Sequence, residues 1–161
     1  MNEKILHMYD YHIWANERTM NHLKSLPDEI FFKEVDLGFK SIAEVIGHIV
    51  AVDEVWFARI KEQSPSSIVT KQFSNIEEAS NCMNKLQSQI REYLSLIKDV
   101  EKRVTYRNQM GQEFQNSVSE IIQHVVNHGT YHRGNITTIL RYLGYKGIQT
   151  DYIAYLRMPS N

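Results

Sequence analysis

The sequence predicts an all-α fold: a four-helix bundle with a short β-hairpin between its third and fourth helices. Three observations predict it. Four segments of roughly 20 to 27 residues carry apolar side chains at three- and four-residue spacing, the period of a helix with one buried face. Three of the four open on Ser or Asn with Glu three residues later, a pair that can satisfy free N–H groups at a helix start. The joints between them are mostly short, as a bundle requires.

The first helix spans about Glu3 to Leu26. Ile5, Met8, Tyr9, His12, Ile13 and Asn16 share one side, and Met20 and Leu23 continue the stripe. Pro27-Asp28 ends it, and a loop containing Gly38 follows. The second helix opens on the capping-box pattern Ser41-Ile42-Ala43-Glu44. It runs through Ile46, Ile49, Val50, Val52, Val55, Trp56 and Ile60 to a break at Ser64-Pro65-Ser66-Ser67. The third starts at Asn75, with Glu78 as box partner. Its stripe is Ala79, Met83, Leu86, Ile90, Tyr93, Leu94 and Ile97.

Arg103-Val104-Thr105-Tyr106-Arg107 and Glu113-Phe114-Gln115 alternate about the Gly-containing turn Asn108-Gln109-Met110-Gly111-Gln112, which predicts the hairpin. Two strands alone are marginal, so it should pack on helices. The fourth helix opens at Ser117-Val118-Ser119-Glu120 and reaches about Leu143, with Gly144 as its left-handed stop. Asp151-Tyr152-Ile153-Ala154-Tyr155-Leu156 reads as a short helix or extended piece covering the bundle.

Composition narrows the function. At 161 residues, 42% hydrophobic and 23% charged, with no Ser/Gly-rich linker, the chain reads as one domain, residues 1–161. A net charge of −1 with scattered basic residues gives no reason to expect nucleic acid or an anionic membrane. The single cysteine, Cys82, rules out an internal disulfide and suits a cytoplasmic location; it reads as a small core or boundary residue. The N-terminus lacks the apolar run of a signal peptide, and no stretch approaches the ~18 apolar residues of a membrane span.

The chemistry lies in His124, His128 and His132 on the fourth helix. A four-residue step turns about 400°, so the three lie on one stripe that drifts roughly 40° per step. Adjacent members could grip one divalent ion, which needs a further ligand. His48, in an otherwise apolar stretch of the second helix, is the candidate. Spacing alone does not choose between His124/His128 and His128/His132, although the second pair encloses Gly129, which leaves room for close approach. Three imidazoles leave the ion's charge uncompensated and a coordination position open, as catalytic sites do. That position could lower the pKa of bound water or a thiol.

The chain resembles the DinB-like (DinB/YfiT-like) metalloenzyme family. The resemblance is carried by Tyr11-His12-Ile13-Trp14-Ala15-Asn16-Glu17, by Ile46-Gly47-His48-Ile49-Val50-Ala51-Val52-Asp53, by the run from His124 to Asn135, and by Thr150-Asp151-Tyr152-Ile153-Ala154-Tyr155. It implies a divalent metal, nickel or zinc, on His48, His128 and His132, with His124 outside the triad. It further implies a low-molecular-weight thiol such as bacillithiol as cosubstrate, a small electrophile as substrate, and a homodimer. No catalytic residue is assigned beyond the ligands. The alternatives are a metal-dependent hydrolase and a non-catalytic metal-binding or stress-response protein. The family name points to DNA damage, but the near-neutral charge gives DNA contact no support.

Other residues have plainer readings. His124 is expected either as a surface or cap-region residue or, by a slight preference, beside the ligands, fixing one of them or a substrate. His12 shares the apolar side and is expected at the cavity. Arg133 should pair with an acid or meet an anionic substrate, the structural role being favoured. Tyr131, Trp14 and Trp56 are expected as core or cavity walls. His7 and His22 are expected in solvent, Glu44 as a capping residue, and Asp53 pointing away from the ligand face.

Overall fold

The structure is a computed structural model and describes residues 2–63 and 67–158. Helix α1 spans Asn2–Lys24, α2 Glu29–Phe32, α3 Ile42–Ile60, α4 Ile76–Leu96, α5 Val118–Tyr142 and α6 Tyr152–Leu156. Strands β1 (Arg103–Arg107) and β2 (Glu113–Ser117) lie between α4 and α5. The four long helices α1, α3, α4 and α5 are those the sequence predicts. Each touches two others, α1 with α4 and α5 and α3 with α4 and α5, so the bundle closes as a ring. Among the described residues no helix is long and apolar enough to cross a membrane.

The caps follow the sequence with one shift. Ser117 and Glu120 form a complete box: Glu120 N–H donates to Ser117 Oγ at 3.2 Å and Ser117 N–H to Glu120 Oε2 at 2.9 Å. At α3, Glu44 N–H donates to Ser41 Oγ at 3.2 Å, but the Glu44 carboxylate takes the N–H of Lys40 instead of Ser41. At α4, Asn75 accepts from Glu78 N–H at 2.8 Å, and Glu78 reaches back to Ser74 N–H. In both helices the acid satisfies a donor one residue before the cap.

Two details differ from expectation. The first helix stops at Lys24, where Ser25 turns both its N–H and its hydroxyl onto the His22 carbonyl. The expected loop contains α2, a single turn that buries Ile30 and Phe31. One turn is too short to show a period, and burial of two large side chains is what holds it. The break expected at Ser64-Pro65-Ser66 lies outside the described residues.

The hairpin pairs Arg103 with Ser117 through Arg107 with Glu113. Its turn is closed by Asn108 Oδ1, which accepts from the N–H groups of Met110 and Gln112 at 2.9 and 3.0 Å, with Gly111 at φ +77°. It packs on α3 and α5, burying Val104 completely and setting Tyr106 edge-on to Trp56 at 5.0 Å. At the other end of α5, Gly144 (φ +86°) stops the helix, and Tyr145 N–H reaches back to the Leu140 carbonyl at 2.8 Å. The chain then runs back along α1. Tyr11 OH donates to the Thr150 carbonyl at 2.9 Å and His22 Nε2–H to that of Lys146 at 2.9 Å. His22 is therefore half-buried and bonded, not solvated as expected, while His7 is exposed beside Tyr155.

Candidate metal centre

Helices α3 and α5 lie side by side and bring His48 against His128 and His132. The Nε2 atoms of His48 and His128 are 3.1 Å apart. One ligand-capable nitrogen from each of the three rings lies within 4.8 Å of the others. Ring centroids are 5.0 Å apart for His48–His128, 4.6 Å for His48–His132 and 4.3 Å for His128–His132. Phe39, in the loop before α3, covers one side, edge-on to His132 at 5.3 Å and tilted over His48 at 5.7 Å.

His48 is placed by a close backbone approach. Lys71 N–H donates to the Gly47 carbonyl oxygen at 3.2 Å, and a Cβ on Gly47 would collide with the Lys71 carbonyl oxygen. The chain after α3 thus passes directly over the residue that precedes His48.

No carboxylate belongs to the cluster, so burial and mutual repulsion govern protonation. Burial pushes the His128 imidazole down to about 3, helped by the charges of His132 and His48. His132 falls to about 4, through burial and then His48. His48 is lowered by burial against a smaller opposing pull from Glu44. At neutral pH all three are uncharged and each offers a lone pair. The donor set therefore fits a divalent ion that accepts imidazole nitrogen. The Nδ1 atoms of His128 and His132 are buried with no hydrogen-bond partner among the described residues. Ligand imidazoles usually gain their orientation from such a partner. For His132, Phe39 and Tyr131 supply it by packing.

These shifts have a consequence for the metal-free protein. A folded-state pKa below the ordinary 6.5 means that the unfolded chain takes up the proton first. Stability is complete above pH ~6.5 and declines as the pH falls toward 3 to 4. Urea midpoints of chelator-treated protein at pH 7 and pH 4.5 should therefore differ more for the wild type than for His128→Gln. An equal drop in both would show that this ring does not carry the effect.

The remaining predicted residues fall into two groups. His124 continues the stripe, its ring 5.9 Å from His128 and 4.9 Å from Trp56, but it stays outside the cluster and is exposed. Its pKa is lowered by desolvation and then by the Arg59 guanidinium. Tyr131, expected as a wall, is 69% exposed, with its ring edge 5.0 Å from His132. Trp56 is half-buried beside the cluster, and Trp14 lies instead in the aromatic contact of α1 with Tyr155.

His12 and Arg133 belong to a buried polar chain behind the histidines. His12 is fully buried and lines no open cavity. Its Nε2 is 2.9 Å from Asp53 Oδ2 and 3.1 Å from Asn16 Nδ2. One nitrogen cannot donate to the first and accept from the second. The carboxylate is the stronger acceptor, so the proton sits on Nε2 and the Asn16 contact is secondary. Asn16 Oδ1 accepts from Arg133 Nη1 at 2.8 Å, and Arg133 Nη2 donates to Thr130 Oγ1 at 3.0 Å. Arg133 is buried and, contrary to expectation, forms no ion pair with an acid among the described residues. Asp53 points away from the three clustered histidines as expected, but into the core, onto His12.

A cavity of about 1100 Å³ lies on the opposite side of α5, lined by Tyr11, Thr130, Arg133, Thr137, Arg141 and Tyr152 among others; none of the four histidines His48, His124, His128 and His132 reaches it.

Residues 1–160 match the family model described as the DinB family. The chain belongs to the DinB family. It is 34% identical to Protein DinB of Bacillus subtilis (strain 168) over an alignment of 166 residues, covering 98% of this chain and 96% of that protein. Its fold is similar to the crystal structure of a DinB-like protein from Bacillus cereus, with a TM-score of 0.70 at 21% identity, over 91% of this chain and 95% of the other. The DinB resemblance implied His48, His128 and His132 as the ligand set, and these are the three rings that α3 and α5 bring together.

Proposed function

We propose that this DinB-family chain is a metal-dependent enzyme that activates a low-molecular-weight thiol, of the bacillithiol type, for attack on a small electrophile. The observation that carries it is the cluster itself: three neutral imidazoles from two helices, with no carboxylate among them. When bound there, a nickel or zinc ion supplies Lewis acidity that lowers the pKa of a thiol brought to it. His48, His128 and His132 would hold the ion. Phe39 keeps water from one side, and exposed His124 and Tyr131 leave the other approachable by a small molecule. The sulfur then bonds to the electrophilic carbon, the leaving group departs with its electron pair, and the thiol proton passes to solvent. We propose the same for the setting: a cytoplasmic, single-domain protein acting on a small molecule, as a homodimer.

The test uses metal-loaded protein, glutathione as probe thiol and a chlorobimane as electrophile. Conjugation should exceed the uncatalysed rate by at least about tenfold and vanish on chelation. Turnover of an ester probe without thiol would favour hydrolysis instead. Stoichiometric metal with no turnover of either probe would favour a binding protein.

A further inference from the structure

The cavity on the side of α5 away from the clustered histidines has three walls. They are α1 with Met8 and Tyr11, α5 with Thr130 and Thr137, and the chain from Gly147 to Tyr152. The third wall is tied down. Tyr11 OH donates to the Thr150 carbonyl at 2.9 Å, and Arg18 Nε–H to that of Gln149 at 3.0 Å. At one end Gly147 lies so close to Thr137 that a Cβ would overlap the threonine methyl. The space is therefore built into the fold. At about 1100 Å³ it is ample for a small organic molecule, whose pockets run to about 300–1,000 Å³.

Arg133 lines this cavity although it is only 2% exposed. Its charge is therefore met inside the cavity, not in open solvent. Every acceptor that the guanidinium has is neutral: Asn16 Oδ1 at 2.8 Å, Thr130 Oγ1 at 3.0 Å and the Tyr11 hydroxyl at 3.5 Å. Its Nε is buried without a partner, and no carboxylate pairs with it among the described residues. These bonds fix the orientation of the fork, and the Tyr11 ring centroid lies 5.7 Å from its central carbon. A buried, oriented and unpaired cation carries a desolvation cost that an anion would offset. The rim has the same sign. Lys4 and Arg141 are exposed and form no ion pair among the described residues, whereas Asp151, one of the two acids at the cavity, is bonded by Gln149 at 3.0 Å.

We propose that this cavity binds a small organic acid, with its carboxylate on Arg133 and its apolar body against Tyr11, Tyr152 and Ile148. A single negative charge matches the single buried cation, and a guanidinium fork fits a carboxylate. An apolar helix seated here would cover the charge without pairing it. The ligand is a second molecule and not the reactant at the metal centre, because none of the clustered histidines reaches the cavity.

The test compares naphthoate with naphthamide, which keeps the shape and removes the charge, as ligands of the metal-loaded protein by calorimetry. The wild type should bind naphthoate saturably and about tenfold more tightly than the amide. Chelation should leave that preference unchanged, since the metal takes no part in it. Arg133→Met should bring the two probes to equal affinity. Because Arg133 also holds Asn16, Gly134→Leu serves as a second variant. Gly134 lines the cavity with nothing within 4 Å of an added Cβ, so the new side chain should fill space there, weaken both probes at least about tenfold and leave the melting temperature no lower. Equal binding of the two probes by the wild type, loss of naphthoate on chelation, or full naphthoate affinity in Gly134→Leu each overturns the proposal. Light scattering distinguishes the other occupant: a wild-type dimer that falls to monomer in Gly134→Leu would assign this face to a second copy of the chain and overturn the proposal as well.

Discussion

His128→Ala is expected to strip the metal from the protein. Elemental analysis of the purified wild type should give about one divalent ion per chain. The variant should hold less than about a tenth of that, and thiol conjugation should fall to background. His128 is the central ring of the cluster, 4.3 Å from His132 and 5.0 Å from His48, so its loss leaves two ligands on different helices. Loss of a group that merely orients a ligand weakens metal binding about 10- to 100-fold, and loss of a ligand should cost more. The fold should survive, since alanine is the best helix former and the buried, unpartnered Nδ1 goes with the ring. His48→Ala should behave the same way, whereas His124→Ala should keep its metal. Full metal content in His48→Ala would refute the triad.

Gly129→Ala should have the largest effect on stability without touching a ligand. On an ordinary helix this change gains up to about 1 kcal/mol. Here the added methyl would overlap His12 Cε1 and lie 2.7 Å from His12 Nδ1 and 2.9 Å from Arg133 Nη1. The Arg133 tip is tied to Asn16, and the His12 ring is fully buried against Asp53, so neither yields freely. Overpacking of this kind costs about 1–3 kcal/mol or more, and the broken His12–Asp53 contact adds to it. A net loss of about 2 kcal/mol would lower the melting temperature by about 4–8 °C in a chain of this size. Gly134→Ala is the control: it lies on the same helix with nothing within 4 Å of the new methyl and should be neutral or stabilising. Equal melting temperatures for the two variants would show that the His12 contact yields freely.

The long helices were legible because each states its start and its buried face locally. Ser117 and Glu120, or Asn75 and Glu78, cap a helix through bonds made within four residues. The hairpin was legible for the same reason, its turn being closed by Asn108 on its own neighbours. Helix α2 was not, because a single turn held by buried Ile30 and Phe31 has no local pattern to read. Gly129 was correctly read as leaving room for a close approach, but the neighbour that uses the room, His12, comes from a helix more than a hundred residues away.

The sequence by itself determined the four long helices, their caps and the stripe of histidines on the last of them. Helical period places His124, His128 and His132 in line whatever surrounds them. It could not say which two meet His48. That depends on where α3 and α5 run alongside each other, a matter of side-chain packing between residues eighty positions apart. The tertiary structure alone set His48 beside His128 and His132. It left His124 against Trp56, turned His12 and Arg133 into the core, and set Arg59 between two aromatic rings.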